Sequence, residues 1–228
     1  MKGTIVNAGA IIAGGLLGIY AGKMLGRYQE EVSKALKLVV VIIGIQMALK
    51  GENMLITFGS LVIGIIIGEL LNLVERINSA GLWLANIVNK LGSNVGASQF
   101  QEGFVTTSMI YCVGAMAILG AIQDGLTGNA DILYLKSALD GISAIMFAAT
   151  WGLGVVFSAL SVFIYQGSIT LLAQQVSGIF TPHIINEVTA VGGVAIMALG
   201  LKMLNILDVK IANWLPAIFV AMLISSIF

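Results

Sequence analysis

Charge is what this chain has least of. Only 10% of its 228 residues are Asp, Glu, Lys or Arg, and eleven acids balance eleven bases to a net charge of zero. A soluble domain carries about 25% charged residues, so too little polar surface exists here to hold the chain in water. The balance also leaves no basic stripe, which argues against nucleic acid as a partner. Cysteine and histidine occur once each. One thiol, Cys112, makes neither an intrachain disulfide nor a metal site, and one imidazole, His183, makes neither a triad nor a metal cluster. Phosphate-binding Gly-Lys-Ser/Thr loops, Cys-x-x-Cys pairs and His-Glu-x-x-His helices are missing. No cofactor, metal or ATP-driven step is therefore expected. Nor is an enzyme, since no nucleophile–base pair stands out.

What the chain does have is apolar sequence in long blocks: 58% of residues are hydrophobic and the mean hydropathy is +1.02. A bilayer core of about 30 Å asks for about 20 apolar residues per helix. Lipid admits only helices and closed barrels, and these blocks are continuously apolar where barrel strands would alternate. The expected fold is all-α, a polytopic transmembrane bundle of seven to eight spans in one membrane domain, residues 1–228. The expected spans are Thr4–Gly22, Leu36–Leu49, Met54–Val74, Phe104–Ile122, Leu133–Ala149, Leu153–Ala173, Val188–Met203 and Ile211–Phe228. The second and fifth are short or polar enough to be broken. The first lacks a small-residue cleavage site near its end and reads as a retained helix. With both termini outside, Lys23, Arg27, Lys34, Lys37, Arg76, Lys90, Lys202 and Lys210 fall inside, and Lys2, Lys50 and Lys136 outside, as the positive-inside rule asks. Residues 75–99 differ: Leu82, Leu84, Ile87, Val88 and Leu91 interleave with Asn78, Ser79, Asn86, Asn89 and Lys90 around Trp83. This predicts an amphipathic cytoplasmic connector between two halves.

Glycine spacing suggests how the helices pack. Gly14, Gly18, Gly22 and Gly26 lie four apart, as do Gly64 and Gly68, a glycine-zipper pattern that lets backbones approach closely. Gly9, Gly14 and Gly18 repeat the intervals of Gly59, Gly64 and Gly68. Gly44-Ile45-Gln46-Met47 is echoed by Gly200-Leu201-Lys202-Met203, each followed by a turn and another span. In the expected topology these hairpins run in opposite senses, which predicts an inverted repeat of residues 36–73 and 188–228, an architecture common in secondary transporters.

Ionisable groups inside a bilayer are costly and usually functional. Asp140, deep in the fifth span, needs a partner, a proton or a cation, and leads the candidate ligand-binding residues. Lys136, four positions earlier on the same face, offers a structural ion pair as the rival reading. Glu187, with Asn186 beside it, opens the seventh span, where an acid also suits the helix dipole. Glu69 lies near a span end and can reach water. Gln166 can bond across helices or line a path, whereas Thr106, Thr107 and Ser108 can satisfy themselves on their own helix.

The stretches CVGAMAILGAIQDGLTG (Cys112–Gly128) and KSALDGISAIMFAATWGLGVVFSALSVFIYQG (Lys136–Gly167), with GTIVNAGAIIAGGLLG at the start and ANWLPA near the end, resemble the uncharacterised bacterial membrane protein family that includes the YqgA and YdfK proteins. The resemblance covers essentially the whole chain. It implies a bacterial inner membrane and a transport label, and it draws attention to Asp124 in the Gln123–Gly125 motif, to Asp140 and to Gln166. The expected function is a secondary transporter or ion pathway for a cation, proton or small zwitterionic solute, in contact with membrane lipid and assembled most simply as a homodimer. A channel, or a non-transporting membrane partner or sensor subunit, is the alternative.

Overall fold

The computed structural model describes residues 1–25, 28–76, 79 and 96–227, and among these the regular structure is helical without strands. Residues 77, 78 and 80–95, where most of the expected amphipathic connector falls, lie outside the described residues. The helices are α1 (Lys2–Leu25), α2 (Gln29–Ala48), α3 (Met54–Leu70), α4 (Ala97–Cys112), α5 (Ala115–Thr127), α6 (Asp131–Trp151), α7 (Leu153–Leu171), a single turn α8 (Ala173–Val176), α9 (Pro182–Met203) and α10 (Pro216–Ser225), the last preceded by a 3-10 turn at Ile211–Trp214. Four contain stretches long and apolar enough to cross a membrane: Lys2–Gly22, Asp131–Trp151, Leu153–Leu171 and Pro182–Met203.

The expected span Phe104–Ile122 is not one straight helix. It divides into α4 and α5, bent by 60° at the break. Gly114 sits at that break with open space around it, and glycine is a common cause of sharp helix kinks. If the bent pair counts as one crossing, the long apolar spans among the described residues number five. The fifth expected span, by contrast, is an unbroken 21-residue helix. The chain turns from it into α7 at Gly152, whose φ of 65° is strained for residues with a Cβ. Helix α9 starts at Pro182, six residues before the expected span, because Thr181 caps it by accepting from the Ile184 amide and Pro182 occupies the first turn.

The chain forms two units whose segments alternate along the sequence. In the first, α1 lies parallel to α6: a Cβ on Gly14, Gly18 or Gly22 would strike the carbonyl oxygen of Gly141, Ile145 or Ala149 respectively. Contact numbers that rise together mean the two helices run the same way. Helix α7 crosses α1 in the opposite sense, with Thr4 near Thr170 and Asn7 near Gln166. It meets α4 where Phe100 packs edge-on against Phe157, ring centroids 5.4 Å apart, and where Gly154 fits beneath the Phe100 carbonyl.

The second unit holds most of α2 with α3, α9 and α10. A Cβ on Gly44 would strike the Met197 backbone, and one on Gly200 would lie 2.6 Å from Val41 Cγ2. Gly44 and Gly200 are separated by 156 residues, as are Val41 and Met197, so the two contacts are reciprocal. The other helix pair behaves alike. Ile56, Ser60, Gly64 and Gly68 are the buried stripe of α3, and Asn213, Ala217, Ala221 and Ser225 form a buried stripe across the 3-10 turn and α10. The stripes are offset by 157 residues throughout. They pair antiparallel, Gly64 against Ala217 and Gly68 against Asn213. Reciprocal contact of this kind is the signature of a two-fold relation between like surfaces.

Candidate functional site

In the first unit three apolar helices each bring one or more polar side chains to a common point. Asn7 from α1, Lys136 and Asp140 from α6, and Gln166 from α7 are all buried. Lys136 and Asp140 sit one helical turn apart on the same face, which lets the ammonium reach the carboxylate. Asn7 Nδ2 donates to Asp140 Oδ2 at 3.0 Å and to Gln166 Oε1 at 3.2 Å. Lys136 Nζ also donates to Oδ2 and lies 5.7 Å from the centroid of the Tyr111 ring, a cation–π distance. Tyr111, contributed by α4, is itself held by Ser143, whose Oγ donates to the phenol oxygen at 3.2 Å.

The carboxylate fixes which way the Asn7 amide points, because its oxygen turned toward Asp140 would be repelled. Asn7 then spends both its N–H bonds, which in turn orients the Gln166 carbonyl toward it. The remainder is informative: Asn7 Oδ1 and Gln166 Nε2 are buried with no hydrogen-bond partner. A native interior leaves few such groups, since each costs about 1–3 kcal/mol. The cluster therefore combines a carboxylate and an ammonium with one vacant acceptor and one vacant donor. Lys136, expected among the external charges, is in fact part of this buried cluster and only 6% exposed.

The other expected site residues fall elsewhere. Asp124 is buried at the start of α1, where Oδ2 accepts from the Gly3 amide at 3.0 Å; a carboxylate there meets the unpaired N–H groups and positive end of that helix. In the second unit Glu187 is fully buried in the second turn of α9, beyond the first-turn position expected for a cap. It serves a different helix: Oε1 accepts from the amides of Glu52 at 2.7 Å and Asn53 at 2.8 Å, and Asn53 is the N-cap of α3. Glu187 Oε2 has no partner. Outside it, the Glu52 carboxylate bonds His183 Nδ1 at 2.9 Å and Asn186 Nδ2 at 2.8 Å. The His183 hydrogen bond, followed by the Asn186 one, holds the Glu52 carboxyl below its usual range. Glu69 closes the far end of α3 by bonding Lys210 at 2.8 Å and Asn213, and Asn213 Oδ1 accepts from the Val74 amide at 3.2 Å. Glu69 beside it raises Lys210 above the usual lysine range.

Asn7 was not among the expected site residues. It is the sole Asn in the block Thr4–Gly22, and nothing within its own span marks it as a partner of Asp140. Thr107 and Ser108 turn out differently: Thr107 returns its hydrogen bond to the Gly103 carbonyl of its own helix, whereas Ser108 donates across to Ser161 of α7 at 3.0 Å.

Comparison with known proteins gives the chain its family. Residues 2–226 match the family described as Protein of unknown function (DUF554), and the chain belongs to it. It is similar to the uncharacterized membrane protein YdfK of Bacillus subtilis (strain 168), 34% identical over 225 residues covering 96% of this chain and 93% of that protein. It is also similar to the uncharacterized protein YqgA of Escherichia coli (strain K12), 28% identical over 225 residues covering 98% of this chain and 96% of that protein. No solved structure matches.

Proposed function

We propose that this membrane protein is a secondary carrier of the bacterial inner membrane for a small zwitterionic solute, bound by Asp140, Lys136, Asn7 and Gln166. The observation that carries the reading is the vacant donor and acceptor beside a buried ion pair. Asn7 Oδ1 and Gln166 Nε2 lie unpartnered next to Asp140 and Lys136. A solute with an ammonium and a carboxylate inserts between the pair, each of its ends facing an opposite charge, while its remaining polar atoms meet the two amides. A bare cation satisfies only the acid and leaves Lys136 opposed to it. The rival is a static ion pair whose role is to hold α1, α6 and α7 together. It accounts for Lys136 and Asp140 but leaves the two vacant amide atoms without a role.

Helix directions support eight crossings. Helices α1 and α6 are parallel, so an even number of crossings separates their starts. That count is met if α1, α2, α3 and the bent pair α4–α5 each cross once. Helices α2 and α9 are antiparallel, so an odd number separates them, met by adding α6 and α7. Helix α10 with its 3-10 turn completes the eighth. The reciprocal contacts of the α2–α3 and α9–α10 hairpins support reading them as an inverted repeat about an axis in the membrane plane, the architecture from which alternating access arises in many carriers.

The test is ligand-induced stabilisation. Purified protein is heated in detergent with glycine, alanine, glutamine, glycine betaine, sodium or potassium, beside Asn7→Ala and Gln166→Leu variants. A ligand that binds the native state must raise its stability. A zwitterion that stabilises the parent and neither variant supports the site. Stabilisation by a cation alone, or equal stabilisation of all three proteins, contradicts it.

A further inference from the structure

Glu187 takes no part in the solute site described above, yet no acid in the chain is more deeply buried. Its two oxygens are unequal. Oε1 receives two backbone N–H bonds, from Glu52 and Asn53, while Oε2, equally out of reach of solvent, receives none. A buried carboxylate with one bare oxygen is left with charge that two amides only partly offset. Two additions can complete it, a metal cation or a proton. Cations such as Ca²⁺ gather about six to eight oxygen ligands, and among the described residues no three His, Cys, Asp or Glu side chains come together to hold a metal. A proton needs only the one bare oxygen.

We propose that Glu187 is the proton-coupling site of the carrier, binding one proton on Oε2 and thereby releasing the turn between α2 and α3. The inference rests on the carrier reading for its transport consequence, but the proton site itself is tested independently. The step is an acid–base equilibrium: the carboxylate and one proton from the aqueous phase form the neutral acid, with no bond to carbon changed. The consequence follows from which groups the carboxylate holds. Four hydrogen bonds tie the turn and its following N-cap to the start of α9. Glu187 accepts two of them from the amides of Glu52 and Asn53; His183 and Asn186 make the other two with the Glu52 side chain. Hydrogen bonds to a charged acceptor are roughly twice as strong as those to a neutral one, so protonation weakens the two buried ties together. The charged or titratable groups on neighbouring elements at this end are Lys50 and Glu52 on the turn and His183 on α9; α10 carries none, and the acid of α3, Glu69, stands at its opposite end.

That opposite end carries a second tie. Glu69 holds Lys210 and Asn213, and Asn213 holds the Val74 amide. The same two hairpins are thus fastened at both ends, by Glu187 at one and by Glu69 at the other. The Glu69 tie is exposed, its carboxylate side chain 56% open, whereas the Glu187 tie is fully buried. Water can replace what the exposed tie loses when its carboxylate is neutralised, and it cannot do so at the buried one. One face of the hairpin pair is therefore proton-gated and the other is a plain surface ion pair.

The experiment uses the full-length protein in detergent. Infrared difference spectra are recorded from acid to alkaline pH for the parent and for Glu187→Gln. Gln keeps a carbonyl oxygen for the Glu52 and Asn53 amides but carries no charge, so the variant stands in for the protonated acid and its label distance is expected to stay at the longer value at every pH. In parallel, spin labels at Lys50→Cys and Ile179→Cys, on a Cys112→Ala background, report the distance from the turn to the approach of α9. The expected result is a protonated-carboxyl band that titrates in the parent and vanishes in Glu187→Gln, with the label distance lengthening over the same pH interval in the parent alone. Absence of a Glu187-dependent band overturns the proposal, and so does a label distance indifferent to pH in the parent. In liposomes, Glu187→Gln is expected to keep solute exchange and lose accumulation driven by a pH gradient. Exchange missing from the parent itself counts against the carrier reading and leaves the spectroscopic test of Glu187 standing.

Discussion

Removing the Asp140 charge is expected to damage folding as well as transport, and a cycle of three variants separates the two effects. The Lys136 and Asp140 side chains are 8% and 10% exposed, so neither charge is well solvated if its partner goes. Two unit charges about 4 Å apart attract by about 4 kcal/mol at an effective dielectric constant of about 20, and deleting one partner of a buried pair costs about 3–5 kcal/mol. Asp140→Asn keeps an oxygen for Asn7 and Lys136 but strands the ammonium, and about 3 kcal/mol of destabilisation is expected. Lys136→Met strands the carboxylate, which retains only the Asn7 bond, for a similar loss. The double variant Lys136→Met/Asp140→Asn removes both charges and keeps the Asn7 hydrogen bond, so it should recover to within about 1–2 kcal/mol of the parent. Reversible unfolding in mixed detergent micelles gives the three differences, and uptake into proteoliposomes gives activity. The double variant is expected to be folded and inactive. Losses that simply add in the double variant would refute the premise that the two charges compensate each other in a poorly solvated site.

Other outcomes follow from the same geometry. Gly18→Leu drives a side chain into the Ile145 carbonyl and should destabilise by about 1–3 kcal/mol, while Gly9→Ala, with nothing within 4 Å of its new Cβ, should be close to neutral in the same thermal assay. Asn7→Ala removes the donor to both Asp140 and Gln166; a loss of about 1–3 kcal/mol and at least a tenfold fall in uptake are expected. The Glu52 carboxyl is held low by His183 and Asn186 from its ordinary 4.5. A lowered folded value favours folding above the unfolded one, and that contribution disappears as pH falls through the folded value. The stability difference between parent and Glu52→Gln should thus shrink as pH falls through the Glu52 range and be close to nothing well below pH 4.5; a gap that persists undiminished there would contradict the assignment.

The sequence was most readable where burial acts on apolar runs and least readable where a single polar atom decides. Helix α1 extends only a few residues beyond its predicted span, Thr4–Gly22, because lipid-length apolarity marks both of its limits. Helix α2 starts seven residues before its predicted span, since Gln29–Ser33 is polar and a hydropathy reading stops there although the backbone does not. The kink between α4 and α5 was hidden because Ala, Gly and Met around position 114 are as apolar as the helices they interrupt. The Lys136–Asp140 pair could be read from spacing alone, as four positions on a helix fix their neighbourhood. Their meeting with Asn7 and Gln166 could not, since 133 and 159 positions separate the contacts. Gly44 and Gly200 drew attention as an echo of four residues; their reciprocal contact with Met197 and Val41 is a property of the folded hairpins.

The central claim is carriage of a small zwitterion through the Asn7–Asp140–Lys136–Gln166 cluster, and solute counterflow tests it most directly. Proteoliposomes preloaded with unlabelled glycine, alanine, glutamine or glycine betaine are diluted into a trace of the same labelled solute. The account predicts a saturable, transient overshoot of label for at least one of them, absent from empty liposomes and from the folded Lys136→Met/Asp140→Asn variant. An overshoot undiminished in that variant, or label that never exceeds simple equilibration with any of the four, would contradict it.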